Sequence, residues 1–452
     1  MFSHNTLLEE VKKNIPAYSK FLKKELCSQN IPLEFTKLPL QNKQNYLLSY
    51  PITELSRKTD IEHFHIIGAS SGFSKTGAIY WPKRPCDEAG YMQSIESMLD
   101  ANYNISKKRT LIIECLAFGM WIGGMQIATA IRNISLSGRF PVTIATPGLD
   151  LKAAINVIDS YKEFFTQILI ITNPSNIPLF NALLKDNKIE LKAGTISFPV
   201  VGEYFTESFR EHVCQSFGHP IDSPYAVWTG YGSADAGDLG AETEGTIALR
   251  KYYHKNKELS KKKFGTTSTP MILAASNNAY IEIINNNIIV TKDQFIPLIR
   301  YNTGDTGGLI NKEELEKQIP NDIYNNLPEK MIYVYGRADN AIIFYGTNLM
   351  ITDIGEHFMS IDKEKNYGGL FTVHQKQEGD VTCFQFTVYV TDLNNTDKDW
   401  YAQSLIEFLC KQSAEFSYKY SNLSKAFDFK LIDLNLADIK TIDTKIKHKY
   451  II

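Results

Sequence analysis

Pro297-Leu298-Ile299-Arg300-Tyr301-Asn302-Thr303-Gly304-Asp305 is the stretch on which the reading of this chain turns. An apolar run that breaks into Arg, Tyr, Asn, Thr, Gly and Asp predicts a strand delivering polar side chains to a turn, where a small polar ligand can be met. Asp305 suits a pair of vicinal hydroxyls, because a carboxylate has two oxygens that accept from both.

Upstream of that stretch, strands and helices alternate. Residues 110–115, 142–146, 167–172 and 195–201 read as strands, residues 124–132, 149–164, 179–185 and 207–217 as helices, and residues 225–230 run into a further turn. The alternation predicts an α/β fold with a mostly parallel sheet flanked by helices, whose ligands sit at the carboxyl ends of strands. Residues 279–291 read as a hairpin turning at Asn285-Asn286-Asn287, so a strand-rich part leads into the 297–305 stretch. Residues 250–263, rich in Lys and Tyr with little periodicity, read as a solvated surface excursion. Past Arg337 the character changes, with strands at 370–373, 382–390 and 427–431 around a helix at 399–413. The expected division is a large N-terminal domain over 1–338 and a small, mobile α+β domain over 339–452.

Composition excludes several function classes. A formal net charge of -2 over 452 residues gives no field for gathering nucleic acid or an anionic membrane. Six scattered cysteines without a C-x-x-C pair read as unpaired thiols of a reducing compartment, so a cytoplasmic protein is expected, as a monomer or homodimer. The apolar residues between Leu7 and Leu22 predict an amphipathic helix interrupted at Pro16, without a signal-peptide core. Residues 111–131 are apolar enough to suggest a membrane span, but Glu114, Gly119 and the pair Gly123-Gly124 divide them into strand, loop and helix.

Three further motifs carry chemistry. Gly68-Ala69-Ser70-Ser71-Gly72-Phe73-Ser74-Lys75-Thr76-Gly77 follows an apolar run and offers backbone donors, hydroxyls and one cation, which a polyphosphate needs; the Walker order is absent. Trp228-Thr229-Gly230-Tyr231-Gly232-Ser233-Ala234-Asp235 brings aromatic rings that can stack on a base and then a carboxylate placed for a metal ion. Gly336-Arg337-Ala338-Asp339 adds a donor and an acid beside the predicted domain boundary. Taken singly, each also reads as a polar turn or an ion pair.

In order and spacing this series resembles the adenylate-forming superfamily, and within it the phenylacetate-coenzyme A ligase-like branch, over nearly the whole chain. Pro297 to Asp305 and Gly336 to Asp339 are the specific matches, and Phe118-Gly119-Met120-Trp121-Ile122-Gly123-Gly124 is similar to the family's aromatic-Gly-Gly pocket segment. The resemblance implies that Ser70, Ser71, Gly72, Ser74 and Lys75 surround the outer phosphates of ATP. It sets Gly202-Glu203, Tyr231 and Gly232 on the adenine side, Asp305 with Arg337 on the ribose, and Asp235 on Mg2+. Asp339 would be the hinge, and Lys445 would bridge carboxylate and α-phosphate. Phe118, Trp121, Gly123, Tyr204 and Trp228 would form a flat apolar pocket for an aryl or arylalkanoic acid. The implied function is activation of a carboxylic acid to an acyl-adenylate with release of pyrophosphate, then transfer to a thiol, coenzyme A first. An amine, or the phosphopantetheine thiol of an acyl carrier protein docked on Lys251 to Lys263, is the alternative acceptor. Phe73 and Lys75 stand where the family has a small hydroxyl residue and a Gly, Asp235 is one methylene shorter than the usual Glu, and Thr444 replaces a Gly. These departures leave open a nucleotide-binding protein without turnover.

Overall fold

Runs of consecutive apolar residues become the fully buried strands Thr110–Glu114, Gln167–Ile171 and Ile196–Val200, as parallel strands covered on both faces should. The computed structural model describes residues 3–27, 34–69, 80–266, 268–337, 341–344, 347–362, 366–378, 381–413, 416–418, 420–421, 432–442 and 450–451. Two compact units are formed, one from Met1–Thr146, Thr229–Ala248 and Ile272–Arg337, the other from Pro147–Trp228, Leu249–Met271 and Ala338–Ile452.

In the first unit, Thr110–Glu114 pairs in parallel with Val142–Ala145, and helix Ile122–Leu136 makes the crossover between them. Its strand-rich part is antiparallel. Tyr280–Ile284 pairs with Asn287–Lys292, that strand with Leu298–Asn311, and Leu298–Asn311 with Lys330–Arg337. The Asn285-Asn286 turn has φ of 50° and 62°, the left-handed pair that a two-residue hairpin demands and that Asn tolerates. Two helices, His4–Asn14 and Pro16–Glu25, form the N-terminus, with Pro16 at the first helical position of the second.

The second unit repeats the α/β pattern. Gln167–Ile171 and Ile196–Val200 pair in parallel, joined through helix Ile177–Asp186. Helix Glu207–Phe217 starts where the Thr206 hydroxyl accepts from the Phe209 amide at 3.2 Å and stops at Gly218 in the left-handed region. The unit's C-terminal part is the expected small α+β arrangement. Tyr367–Glu378 and Val381–Val390 pair antiparallel, and helix Lys398–Gln412 carries the chain to Ile432–Asp438, parallel to Val381–Val390. Phe358, Phe371, Phe386, Leu405 and Leu434 are among its core residues. The strand expected at 427–431 lies outside the described residues.

Two expectations are corrected. The 297–305 stretch does not end in a turn, because the strand continues through Asp305 to Asn311. Residues 250–263 are regular where an irregular excursion was expected: helices Glu244–Lys255 and Lys257–Phe264 hold all but Asn256, with Lys255, Glu258, Lys261 and Lys262 exposed as expected but the start of the stretch buried. Arg250 is wholly buried, pairing with Glu207 at 3.1 Å in a network that also holds Arg210, and Lys251 is buried as well. A buried ion network needs charged residues where a solvated face would also have them, so composition alone does not separate the two. Among the described residues no helix is long and apolar enough to cross a membrane, and all six cysteines are free.

Candidate nucleotide site

The 297–305 stretch is held in shape by its own polar residues. The Asn302 side chain accepts from the Gly304 amide at 2.9 Å, and the Thr303 hydroxyl accepts from the Asp305 amide at 3.2 Å while donating to the Ile288 carbonyl at 3.0 Å. Gln41 runs alongside it as a short parallel bridge to Tyr301, its side-chain oxygen accepting from the Ile299 amide at 2.9 Å. Arg300, with φ of 51°, is buried; it donates to the Leu38 carbonyl and to Glu282 at 3.2 Å, so it straps the strand to its neighbours. Asp305 is what the stretch presents.

Asp305 meets the second motif directly. The Tyr231 hydroxyl donates to Asp305 Oδ2 at 2.8 Å. Burial first, and then the adjacent Asp305 charge, push the Tyr231 hydroxyl well above its ordinary pKa of 10.0, so it stays a donor. Arg337 pairs with Asp305 across the ladder through its backbone. Asp235 belongs to the same neighbourhood, since the Tyr301 hydroxyl donates to its Oδ2 at 2.5 Å and the Gln294 amide to its backbone carbonyl at 2.5 Å. Gly232 is required by close approach, because a Cβ there would lie 2.5 Å from the Gly237 carbonyl of the facing strand.

A second polar set borders Asp235. Lys83 ends the strand Tyr80–Lys83 and is buried; burial lowers its pKa, against the pull of Asp87, Glu88 and Asp235. The Lys292 ammonium donates to the Asp238 carbonyl at 2.5 Å, and burial pushes its pKa down to about 8, with Asp238 opposing and Lys83 reinforcing the shift. Tyr301, Gln294, Lys83 and Lys292 were given no role by motif. Only the register of strands remote in sequence brings them to Asp235.

Of the expected pocket residues in the first unit, Phe118 and Trp121 are half-buried at the start of helix Ile122–Leu136, and a Cβ on Gly123 would meet nothing within 4 Å. Gly124 is the constrained one: its Cβ would come within 2.3 Å of the Ala117 carbonyl. The second unit holds the remainder. Gly202 turns with φ of 86°, Glu203 accepts from the Ser175 amide at 3.1 Å and from its hydroxyl at 3.0 Å, Tyr204 donates to the Thr269 carbonyl at 2.8 Å, and Trp228 is buried. Ser70, Ser71, Gly72, Ser74, Lys75, Asp339 and Lys445 lie outside the described residues, as does the Arg337 side chain.

Whether Asp235 suits Mg2+ depends on the donors around it. Among the described residues no group of three or more His, Cys, Asp or Glu is placed to hold a metal. A single carboxylate is what a Mg2+ that arrives on nucleotide phosphates and keeps several waters requires, so the residues fit a substrate-borne ion rather than a resident one.

No protein-family model matches the sequence, and neither does any curated protein. Solved structures do match by shape. A 2-hydroxyisobutyryl-CoA ligase in the postadenylation state, in complex with 2-HIB-AMP, superposes with a TM-score of 0.65 at 13% identity over 99% of this chain and 87% of its own. The acyl acid amido synthetase AtGH3.15, in complex with 2,4-DB, superposes with a TM-score of 0.54 at 10% identity over 97% of this chain and 90% of its own. The mixed α/β architecture, with its strand-rich part and its C-terminal α+β portion, is thus the fold shared by this CoA ligase and this acyl acid amido synthetase.

Proposed function

We propose that the chain activates a carboxylic acid with ATP and passes the acyl group to coenzyme A. The observation that carries this reading is the Tyr231–Asp305 hydrogen bond at 2.8 Å, with Arg337 opposite Asp305 in the ladder, set in that fold. Two acceptor oxygens held by a buried phenol suit a ribose diol, and the Tyr231 ring suits adenine. In the first half-reaction a carboxylate oxygen attacks the α-phosphorus of ATP, the bond to the β-phosphate breaks, and pyrophosphate leaves. Asp235, steadied by Tyr301, is the group that would hold phosphate-borne Mg2+, which supplies charge neutralisation when bound. In the second half-reaction the thiol sulfur attacks the acyl carbon, AMP leaves, and the thiol proton passes to solvent.

The finer assignments belong to the same proposal: an aryl or arylalkanoic acid on Phe118, Trp121 and Gly123, phosphates on Ser70 to Lys75, a domain boundary at Asp339, and Lys445 on the reacting carboxylate. The acyl acid amido synthetase likeness favours an amine as the second acceptor to be tried. The deciding experiment is acid-dependent exchange of labelled pyrophosphate into ATP across aromatic, fatty and amino acids, followed by acceptor trials with coenzyme A, amines and a carrier protein. Asp305→Ala is expected to raise the KM for ATP at least tenfold with the fold retained. Unchanged ATP dependence removes the ribose assignment, and absence of exchange with every acid removes the ligase reading.

A further inference from the structure

Two phenol–carboxylate bonds join the same pair of segments in opposite directions. Tyr231 donates to Asp305 at 2.8 Å, and Tyr301 donates to Asp235 at 2.5 Å. Each segment thus carries a tyrosine and, four residues on, an aspartate: Tyr231 in the strand Val227–Ser233 with Asp235 just beyond it, Tyr301 and Asp305 within Leu298–Asn311. These strands are not neighbours. Lys330–Arg337, Met271–Ala275 and Gly237–Ala241 stand between them in the sheet. In a flat sheet four steps of about 4.8 Å would hold them about 19 Å apart, beyond the reach of one tyrosine and one aspartate. The sheet therefore curls until the outer two of these five strands face each other, and the two bonds close the curl.

Closure by itself needs only apolar contact, whereas these bonds fix the direction of two acids. Among the described residues Asp235 Oδ2 takes the Tyr301 hydroxyl and no hydrogen bond reaches Oδ1, while the Gln294 side-chain amide holds the Asp235 backbone carbonyl at 2.5 Å. Asp235 is half-buried, so Oδ1 can meet water. Tyr301 is 1% exposed, and its backbone neighbours are held by Gln41, whose amide donates to the Arg300 carbonyl at 3.1 Å and whose carbonyl accepts from the Asn302 amide at 2.8 Å. A rigid phenol on one oxygen of a short side chain sets where the other oxygen points. Ligand binding then need not order that side chain, which is where preorganisation acts.

We propose that Tyr301 is a positioning residue for the Mg2+ of Mg-ATP: its hydroxyl holds Asp235 so that the second carboxylate oxygen stands ready for the hydrated ion, as Tyr231 holds Asp305 for the ribose. The assignment rests on the acid-activation reading above and deepens it, dividing the clasp into a metal-dependent half and a metal-independent half. Mg2+ keeps most of its waters and is bound through one or two carboxylates, so the aim of a single Asp decides its contribution. A clasp that only closed the sheet would serve both halves alike.

Calorimetric binding of AMP, and of ATP with Mg2+ or with EDTA, tests this on the unmodified protein, Tyr301→Phe, Tyr231→Phe, Asp235→Asn and the double variant Tyr301→Phe/Asp235→Asn. Tyr301→Phe keeps the ring. It is expected to weaken ATP binding at least fivefold with Mg2+, less than twofold in EDTA, and to leave AMP binding within twofold and the ligand-free Tm within a few degrees. In the Asp235→Asn background the same change should have no further effect, since the carboxylate through which Tyr301 acts is gone. Tyr231→Phe should weaken AMP and ATP alike, with or without Mg2+. Unchanged affinity of Tyr301→Phe for ATP in Mg2+, a loss that persists in EDTA or in the Asp235→Asn background, or a uniform loss for AMP and ATP with a lowered ligand-free Tm would overturn the proposal, the last marking a structural clasp. If the unmodified protein binds Mg-ATP but catalyses no acid-dependent exchange, the ligase reading falls, and the Mg2+-dependent difference still decides the role of Tyr301. No binding of ATP to the unmodified protein would remove both.

Discussion

Glu114 shows how far a single residue departs from what its neighbours in sequence suggest. It closes an apolar strand, is wholly buried, and among the described residues no donor reaches either carboxyl oxygen in good hydrogen-bond geometry. Burial pushes its pKa up to about 8, against a smaller opposing pull from the Ala128 backbone. The folded state therefore holds the proton more tightly than the unfolded chain, whose carboxyl titrates near 4.5. The stability this gives is fully present below pH 4.5 and is lost as pH rises through about 8. In urea titrations the unmodified protein should lose on the order of 5 kcal/mol relative to Glu114→Gln between those limits. Parallel curves for the two proteins would show that Glu114 has a partner or water at hand. The sequence marks Glu114 only as a charge that spoils a membrane span; its isolation comes from helix Ile122–Leu136 closing over it. Arg300 is similar. Its place beside Tyr301 and Asp305 suggests a ligand contact, and only the positive φ and the Leu38 carbonyl show a structural strap. Asp305 is the opposite case, because the local Asn302 and Thr303 bonds that present it were contained in the stretch itself.

Elements were legible where one rule governed them. Parallel strands announced themselves as apolar runs, and the Asn285-Asn286 hairpin by its turn residues. The strand Leu298–Asn311 outruns its sequence signal, since Thr303, Gly304 and Asp305 are turn formers locally, but from Asp305 onward the strand is carried on by pairing with Lys330–Arg337, which sequence does not display. Helices Glu244–Lys255 and Lys257–Phe264 leave little trace in the sequence because their buried positions include Arg250 and Lys251 in place of apolar residues, which blurs the 3.6-residue period. The aromatic-Gly-Gly segment allows a paired test. Gly124→Ala places a Cβ 2.3 Å from the Ala117 carbonyl and must push helix Ile122–Leu136 off the loop before it. A loss of about 1–3 kcal/mol is expected in chemical denaturation, as for other overpacked contacts. Gly123→Ala meets nothing within 4 Å and should be neutral or stabilising by up to about 1 kcal/mol, as alanine is a better helix former. Equal losses in the two variants would mean that the Gly pair serves flexibility rather than fit.

At the scale of the whole molecule, the order of motifs carried what single residues did not. Asp305 and Tyr231 are 74 positions apart, yet the fold joins them by a hydrogen bond. Asp235 and Tyr301, 66 apart, repeat the pattern within the same unit. The cationic members of the scheme are harder to read, because any lysine in a basic tail satisfies a loose motif, and Lys445 has Lys447 and Lys449 beside it. Its assignment is therefore best decided by separating the two half-reactions. Bringing a carboxylate to the α-phosphate joins two anions, so a cation at that point lowers the barrier to adenylation, whereas attack of a thiol on preformed acyl-adenylate has no such need. Lys445→Ala should then lower acid-dependent pyrophosphate exchange by at least a hundredfold while thioester formation from synthetic acyl-adenylate changes less than threefold. Lys447→Ala and Lys449→Ala, altering the same tail, should leave both half-reactions near the unmodified rates. Equal losses in both half-reactions for Lys445→Ala would assign it to fold or nucleotide binding, and a larger exchange loss in either neighbour would move the bridging cation to that lysine.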